Sequence, residues 1–86
     1  MAYSVVFARR ARKALQRLDR LTARRIVEVV EALADQPRPP GVRQLKGSSE
    51  WRIRVGQYRV IYEIHDDRLF VLVVKVGHRR EIYRET

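Results

Sequence analysis

The sequence predicts an α+β domain in the order β-α-α-β-β-β, an antiparallel sheet with a two-helix hairpin packed on one face. Three observations carry that expectation. Apolar residues recur at three- and four-residue steps between Phe7 and Leu33, the stripe of amphipathic helices. From Trp51 the period becomes two, the alternation of a half-buried strand. Pro37, Pro39, Pro40 and Gly41 separate the two regimes.

Tyr3, Val5 and Phe7 alternate with Ser4 and Val6 in a short opening strand. Phe7, Ala11, Ala14, Leu15 and Leu18 then form one helical stripe, with Arg9, Arg10, Arg12, Lys13 and Arg17 off it. Residues 19–21 make a tight break, and Thr22 is the expected N-cap of a second helix with the stripe Ile26, Val29, Val30 and Leu33. The prolines end that helix, because proline lacks the N–H a helix interior requires. Trp51, Ile53 and Val55 start the sheet proper, and Gly56-Gln57 has the glycine-first order of a type II′ hairpin. That turn sets Val55 opposite Tyr58 and Arg54 opposite Arg59. The next strand, 58–64, turns at Asp66-Asp67 into 69–76, whose continuous apolar run reads as an interior strand buried on both faces. The N-terminal strand covers its free side. Trp51, Tyr58 and Tyr62 belong to the core or its rim.

With 86 residues the chain reads as one domain, 1–86, and 45% hydrophobic content is ordinary for a globular fold. The formal charge of +9 favours a nucleic acid or another polyanion as partner. A membrane is not expected: the apolar run 69–74 is far shorter than the roughly 20 residues of a spanning helix, and no signal peptide is evident. No cysteine is present, which fits the cytoplasm and excludes thiolate metal sites. His65 and His78 stand too far apart in sequence to suggest zinc.

The charge is not spread evenly. Arg52 and Arg54 alternate with the apolar residues of their strand, so both point to the opposite face. Arg54 facing Arg59 is unfavourable by itself, and a chain that tolerates such a pair has an anion there or uses the repulsion. Beyond Val76, an inward Ile82 groups Arg79 and Tyr83 on one face and leaves His78 and Arg80 on the other. Arginine donates paired hydrogen bonds to phosphate oxygens, so Arg52, Arg54, Arg59 and Arg79 are candidates to hold a phosphodiester and stabilise its transition state. Tyr83 is a candidate acid, base or stacking platform, and His78 a candidate acid or base. The basic residues between Arg9 and Arg25 read as a solvated face that could also dock on RNA backbone.

These segments carry a resemblance. Leu45-Lys46-Gly47, Trp51-Arg52-Ile53-Arg54, Tyr58-Arg59-Val60-Ile61-Tyr62 and Gly77-His78-Arg79 with Ile82-Tyr83-Arg84 resemble the RelE branch of the RelE/ParE toxin superfamily. The likeness covers nearly the whole chain. It implies a toxin of a type II toxin–antitoxin pair that cuts mRNA in the ribosomal A site by attack of the ribose 2′-hydroxyl, with no cofactor and no metal. By position, Arg52 and Arg54 stand where the family often has lysines, Arg59 matches its phosphate-binding arginine, Arg79 its catalytic arginine and Tyr83 its catalytic tyrosine. Lys46 and Arg80 are the accompanying RNA-binding candidates. Arginine at 52 and 54 keeps the charge but removes a proton acceptor, which shifts that role to Tyr83 or His78. The resemblance also implies a cognate RelB-like antitoxin, contact with ribosome and mRNA, and promoter DNA bound through the antitoxin complex. The alternatives are a ParE-like inhibitor of DNA gyrase and a non-catalytic ribosome- or RNA-binding domain.

Overall fold

The computed structural model describes residues 2–78. Its elements are β1 (Ser4–Phe7), α1 (Arg9–Gln16), α2 (Arg20–Ala32), β2 (Arg43–Gln44), β3 (Glu50–Val55), β4 (Tyr58–His65) and β5 (Phe70–His78). The β-α-α-β-β-β order holds, with β2 added as a two-residue edge strand. Its pairing of Arg43 with Arg52 and Gln44 with Trp51 is too short to leave a periodic signal.

The strands form one sheet in the order β1-β5-β4-β3-β2. β2 to β5 are antiparallel, but β1 runs parallel to β5, from Ser4 opposite Phe70 to Phe7 opposite Val73. The sheet is therefore mixed, where the sequence suggested an antiparallel one. No tight turn joins β1 to β5, so local sequence carries no information on their relative direction.

The N-cap of α2 lies three residues before the expected one. Asp19, in extended backbone, accepts a hydrogen bond from the Thr22 N–H at 3.1 Å, so Asp19 and not Thr22 is the N-cap. That bond satisfies one of the helix's orphan donors and holds the Asp19 carboxyl below its ordinary pKa.

Both helices cover one side of the sheet. Ala11, Ile26, Val30 and Leu33 pack with Val55, Val60, Tyr62, Val71, Val73 and Val76. β5 is interior, as its apolar run indicates, although its burial is uneven. Val71 and Val73 are fully buried on the helix side, Leu72 is half-buried on the other, and Leu69 belongs to the preceding turn. The register supplies the reason for a further irregularity. Tyr62 pairs with Val73 but Ile61 pairs with Lys75, so Val74 is an extra residue in β5.

Polar side chains tie the loops at the far end of the sheet. Tyr3 donates from its hydroxyl to Asp66 at 2.6 Å, and Arg38 donates to the other oxygen of that carboxylate at 2.9 Å. The Arg38 guanidinium also lies 5.2 Å from the Trp51 ring centroid, a cation–π contact. Tyr62, fully buried, donates to the Pro37 carbonyl at 2.8 Å, and burial pushes its phenol up to about 12. The proline segment after α2 is thus fastened to β1, β3, β4 and the β4–β5 turn.

Tyr62→Phe should destabilise the fold by about 1 kcal/mol in denaturant titration, since a buried carbonyl loses its donor. The Asp66 carboxyl is held below the usual carboxylate range, first by Arg38 and then by Tyr3. A depressed folded-state value stabilises the protein above the unfolded value and is lost as pH falls through the folded one. Asp66→Asn should therefore lower Tm at neutral pH and flatten the decline in Tm between about pH 5 and about pH 3.

Candidate functional site

Opposite the helices, the sheet presents its polar face, and β3, β4 and β5 together decide which side chains it carries. Trp51, Ile53 and Val55 alternate inward with Tyr58, Val60 and Tyr62, leaving Arg52, Arg54 and Arg59 outward. Gly56 has φ +60° while Gln57 keeps the usual negative φ, the pattern of a type II′ turn. With that turn, Val55 pairs with Tyr58 and Arg54 stands directly opposite Arg59.

Across the open face the residues fall into rows. Arg54 neighbours Arg59, which neighbours Gly77; Arg43 neighbours Arg52, then Ile61, then Lys75. A third row, Glu50, Glu63 and Leu72, closes the other end with carboxylates. Glu63 lies 2.8 Å from the ring of His65. The face is therefore polar along its length, with cations at the Gly56-Gln57 end and carboxylates at the β4–β5 turn end.

Arg59 is the one charged side chain among the described residues that is buried, at 2% exposure. Gly77 beside it adds no side chain. A guanidinium held away from bulk water interacts with an arriving anion more strongly than a solvated one does. Arg54 is exposed and Arg52 half-buried. The arrangement offers a buried inner cation flanked by more exposed outer ones, which suits a phosphodiester.

Other candidates fall elsewhere. Lys46 is exposed in the turn between β2 and β3, at the Glu50 end of β3 and far from Arg54. His78 pairs with Tyr58, so it lies on the helix side, its ring edge-on to Tyr58 at 5.6 Å between centroids. There it lines a cavity of about 310 Å³ with Tyr58, Ala14, Arg17 and Leu18. Arg79, Arg80 and Tyr83 lie outside the described residues. On α1, Arg9, Arg10, Lys13 and Arg17 line an open concavity of about 690 Å³, separated from the arginine face by the sheet.

Residues 5–83 match the family described as the ParE toxin of the type II toxin–antitoxin system parDE. The chain is 36% identical to toxin RelG of Mycobacterium tuberculosis, with 98% of this chain and 99% of the relative covered. It is 30% identical to the putative toxin RelE1 of Methanocaldococcus jannaschii, covering 98% of each. Its structure superposes on the archaeal RelE–RelB complex of Pyrococcus horikoshii with a TM-score of 0.82 and 32% identity, over 92% of this chain and 97% of that one. The chain belongs to the RelE family of type II toxin–antitoxin toxins.

In this RelE-family toxin two cations escaped the sequence reading. Arg43 joins the face because β2 pairs with β3, a pairing two residues long. Lys75 joins it because the extra residue Val74 reverses the parity of β5. The visible signal was a lysine at the end of an apolar run, and period two without a bulge assigns it to the wrong side.

The opposed arginines set a stability test for the RelE-family toxin. Arg54→Thr removes a like-charge pair and adds a good strand former, so it should stabilise the fold by about 0.5 kcal/mol. Thermal melts should show the gain at low salt and its shrinkage as salt rises.

Proposed function

We propose that the protein is a ribosome-dependent endoribonuclease that cleaves mRNA in the A site and so inhibits translation. The observation that carries this reading is the cationic open face, with buried Arg59 opposite Arg54 and beside Arg52. The RelE-family membership supports it. In the reaction the ribose 2′-oxygen bonds to the adjacent phosphorus and the bond from phosphorus to the 5′-oxygen breaks. The 2′-proton passes to an acceptor, and the departing 5′-oxygen gains a proton. The products are a 2′,3′-cyclic phosphate and a free 5′-hydroxyl.

The phosphorane-like transition state concentrates negative charge on the non-bridging oxygens. Arg59, Arg54 and Arg52 are suited to stabilise it, because their charge is already in place before reaction. None can accept a proton, since guanidinium stays protonated. His78, turned to the helix side against Tyr58, is poorly disposed to serve that face, which favours Tyr83 as acceptor. Arg79 is assigned to the leaving 5′-oxygen on the family resemblance. Lys46 and Arg80 contribute phosphate contacts outside the reacting group.

A free enzyme of this kind must be restrained, and the structural neighbours include toxins bound to RelB antitoxins. A RelB-like antitoxin with acidic segments is the expected partner, and promoter DNA is bound through that complex. Site of action and absence of a membrane partner follow from the ribosomal target. Among the described residues no helix is long and apolar enough to cross a membrane.

Ribosomes stalled on a defined mRNA with an empty A site provide the test. Primer extension should reveal a cut within the A-site codon, absent on naked mRNA. Arg59→Ala should slow cutting by about 100-fold or more, and Arg54→Ala by about 10-fold. An intact message with wild-type protein would sink the proposal. The match to a family described as a ParE toxin favours one second reading, inhibition of DNA gyrase through protein contact. A supercoiling assay decides it.

A further inference from the structure

We infer that Lys75 is a phosphate ligand of the cleavage site, a cation that meets the reacting phosphodiester together with Arg59 and Arg52. The inference rests on the nuclease reading and adds a residue to it. Four observations converge on this position.

First, Lys75 lies on the arginine face. Ile61 pairs with Lys75 on one side and with Arg52 on the other, so the three share a row. Second, it is near the buried guanidinium. Arg59 pairs with Gly77, which makes Lys75 its diagonal neighbour across β4 and β5. Diagonal neighbours stand about 7–8 Å apart, within reach of two long side chains that converge on one phosphate. One strand, β4, separates Lys75 from Arg52, two strand spacings or about 10 Å.

Third, the pairing with β1 ends before Lys75. β1 pairs only with residues 70–73 of β5, and the chain then turns away as the Ala8 N–H bonds the Val73 carbonyl. Beyond that point, among the described residues, β5 pairs with β4 on one side and with no strand on the other. Fourth, the residue type is costly there. Val74 and Val76 flank it in sequence, lysine is disfavoured in strands, and Lys75 is half-buried on a face that it shares with Arg52 and Arg59. A lysine kept at such a position adds a further positive charge to the face that an anion would meet.

The role assigned is charge, not proton transfer. Lys75 donates to a non-bridging phosphate oxygen and takes no part in bond making. An arginine should therefore replace it, whereas an uncharged side chain of the same length should not.

Lys75→Met, Lys75→Arg and Arg59→Ala are compared with wild type in single-turnover cutting on A-site-empty ribosomes. Circular dichroism and melting establish that each variant is folded. Lys75→Met should cut about 10- to 100-fold more slowly with KM little changed, and Lys75→Arg should stay within about threefold of wild type. If Lys75→Met cuts like wild type while Arg59→Ala is slow, the nuclease reading stands and this inference falls. If Lys75→Arg is as slow as Lys75→Met, charge is not the contribution and the inference falls as well. If wild type does not cut, the nuclease reading itself fails, and the role of Lys75 with it.

Discussion

Strands of period two can serve a core and a charged face at once only if the register never slips, and here it slips once on purpose. Val74 is the extra residue of β5 against β4. Before it, Val71 and Val73 face the helices; after it, Val76 does so again, although it stands three positions after Val73, an odd step. Without the bulge Val76 would turn to solvent and Lys75 into the apolar layer under α1. A lysine there would lose its hydration with no anion among the core residues, a cost of several kcal/mol. One added residue thus preserves the core and delivers a cation to the other face.

That face concentrates charge of one sign. Arg54 and Arg59 oppose each other across β3 and β4, with Arg52, Arg43 and Lys75 in the adjoining row. Such crowding is sustained because the helix side is sealed by fully buried Ile26, Val30, Val60, Tyr62, Val71 and Val73. The burial of apolar groups outweighs repulsion among partly solvated cations, which water and salt screen. Arg59 is the extreme case, and its burial is what distinguishes this face from a merely solvated basic surface. On the far side of the sheet the basic residues of α1 form a separate surface with no buried cation among them.

The loops are secured at the opposite end from the arginines. Asp66 joins Tyr3 and Arg38, and Arg38 covers Trp51 at the start of β3. Tyr62 reaches through the core to the Pro37 carbonyl. These contacts hold the proline segment through Asp66, at the other end of the sheet from Arg54 and Arg59. The structural ion pair and the cationic face are thus separated along the length of the sheet.

By itself the sequence determined the elements whose rules are local. Three- and four-residue periodicity located both helices, the glycine-first turn set the β3–β4 register, and alternation put Arg52, Arg54 and Arg59 on one face. The RelE-family resemblance was legible in the same segments. Tertiary structure alone decided the rest. The parallel direction of β1, the edge strand β2 and the burial of Arg59 depend on partners distant in sequence. Asp19 displaced Thr22 as the cap because chain geometry after α1, not residue preference, chose between two good capping residues. Lys75 is the clearest instance: its face depends on a one-residue excess between two paired strands, and a residue count along one strand cannot register a mismatch with another.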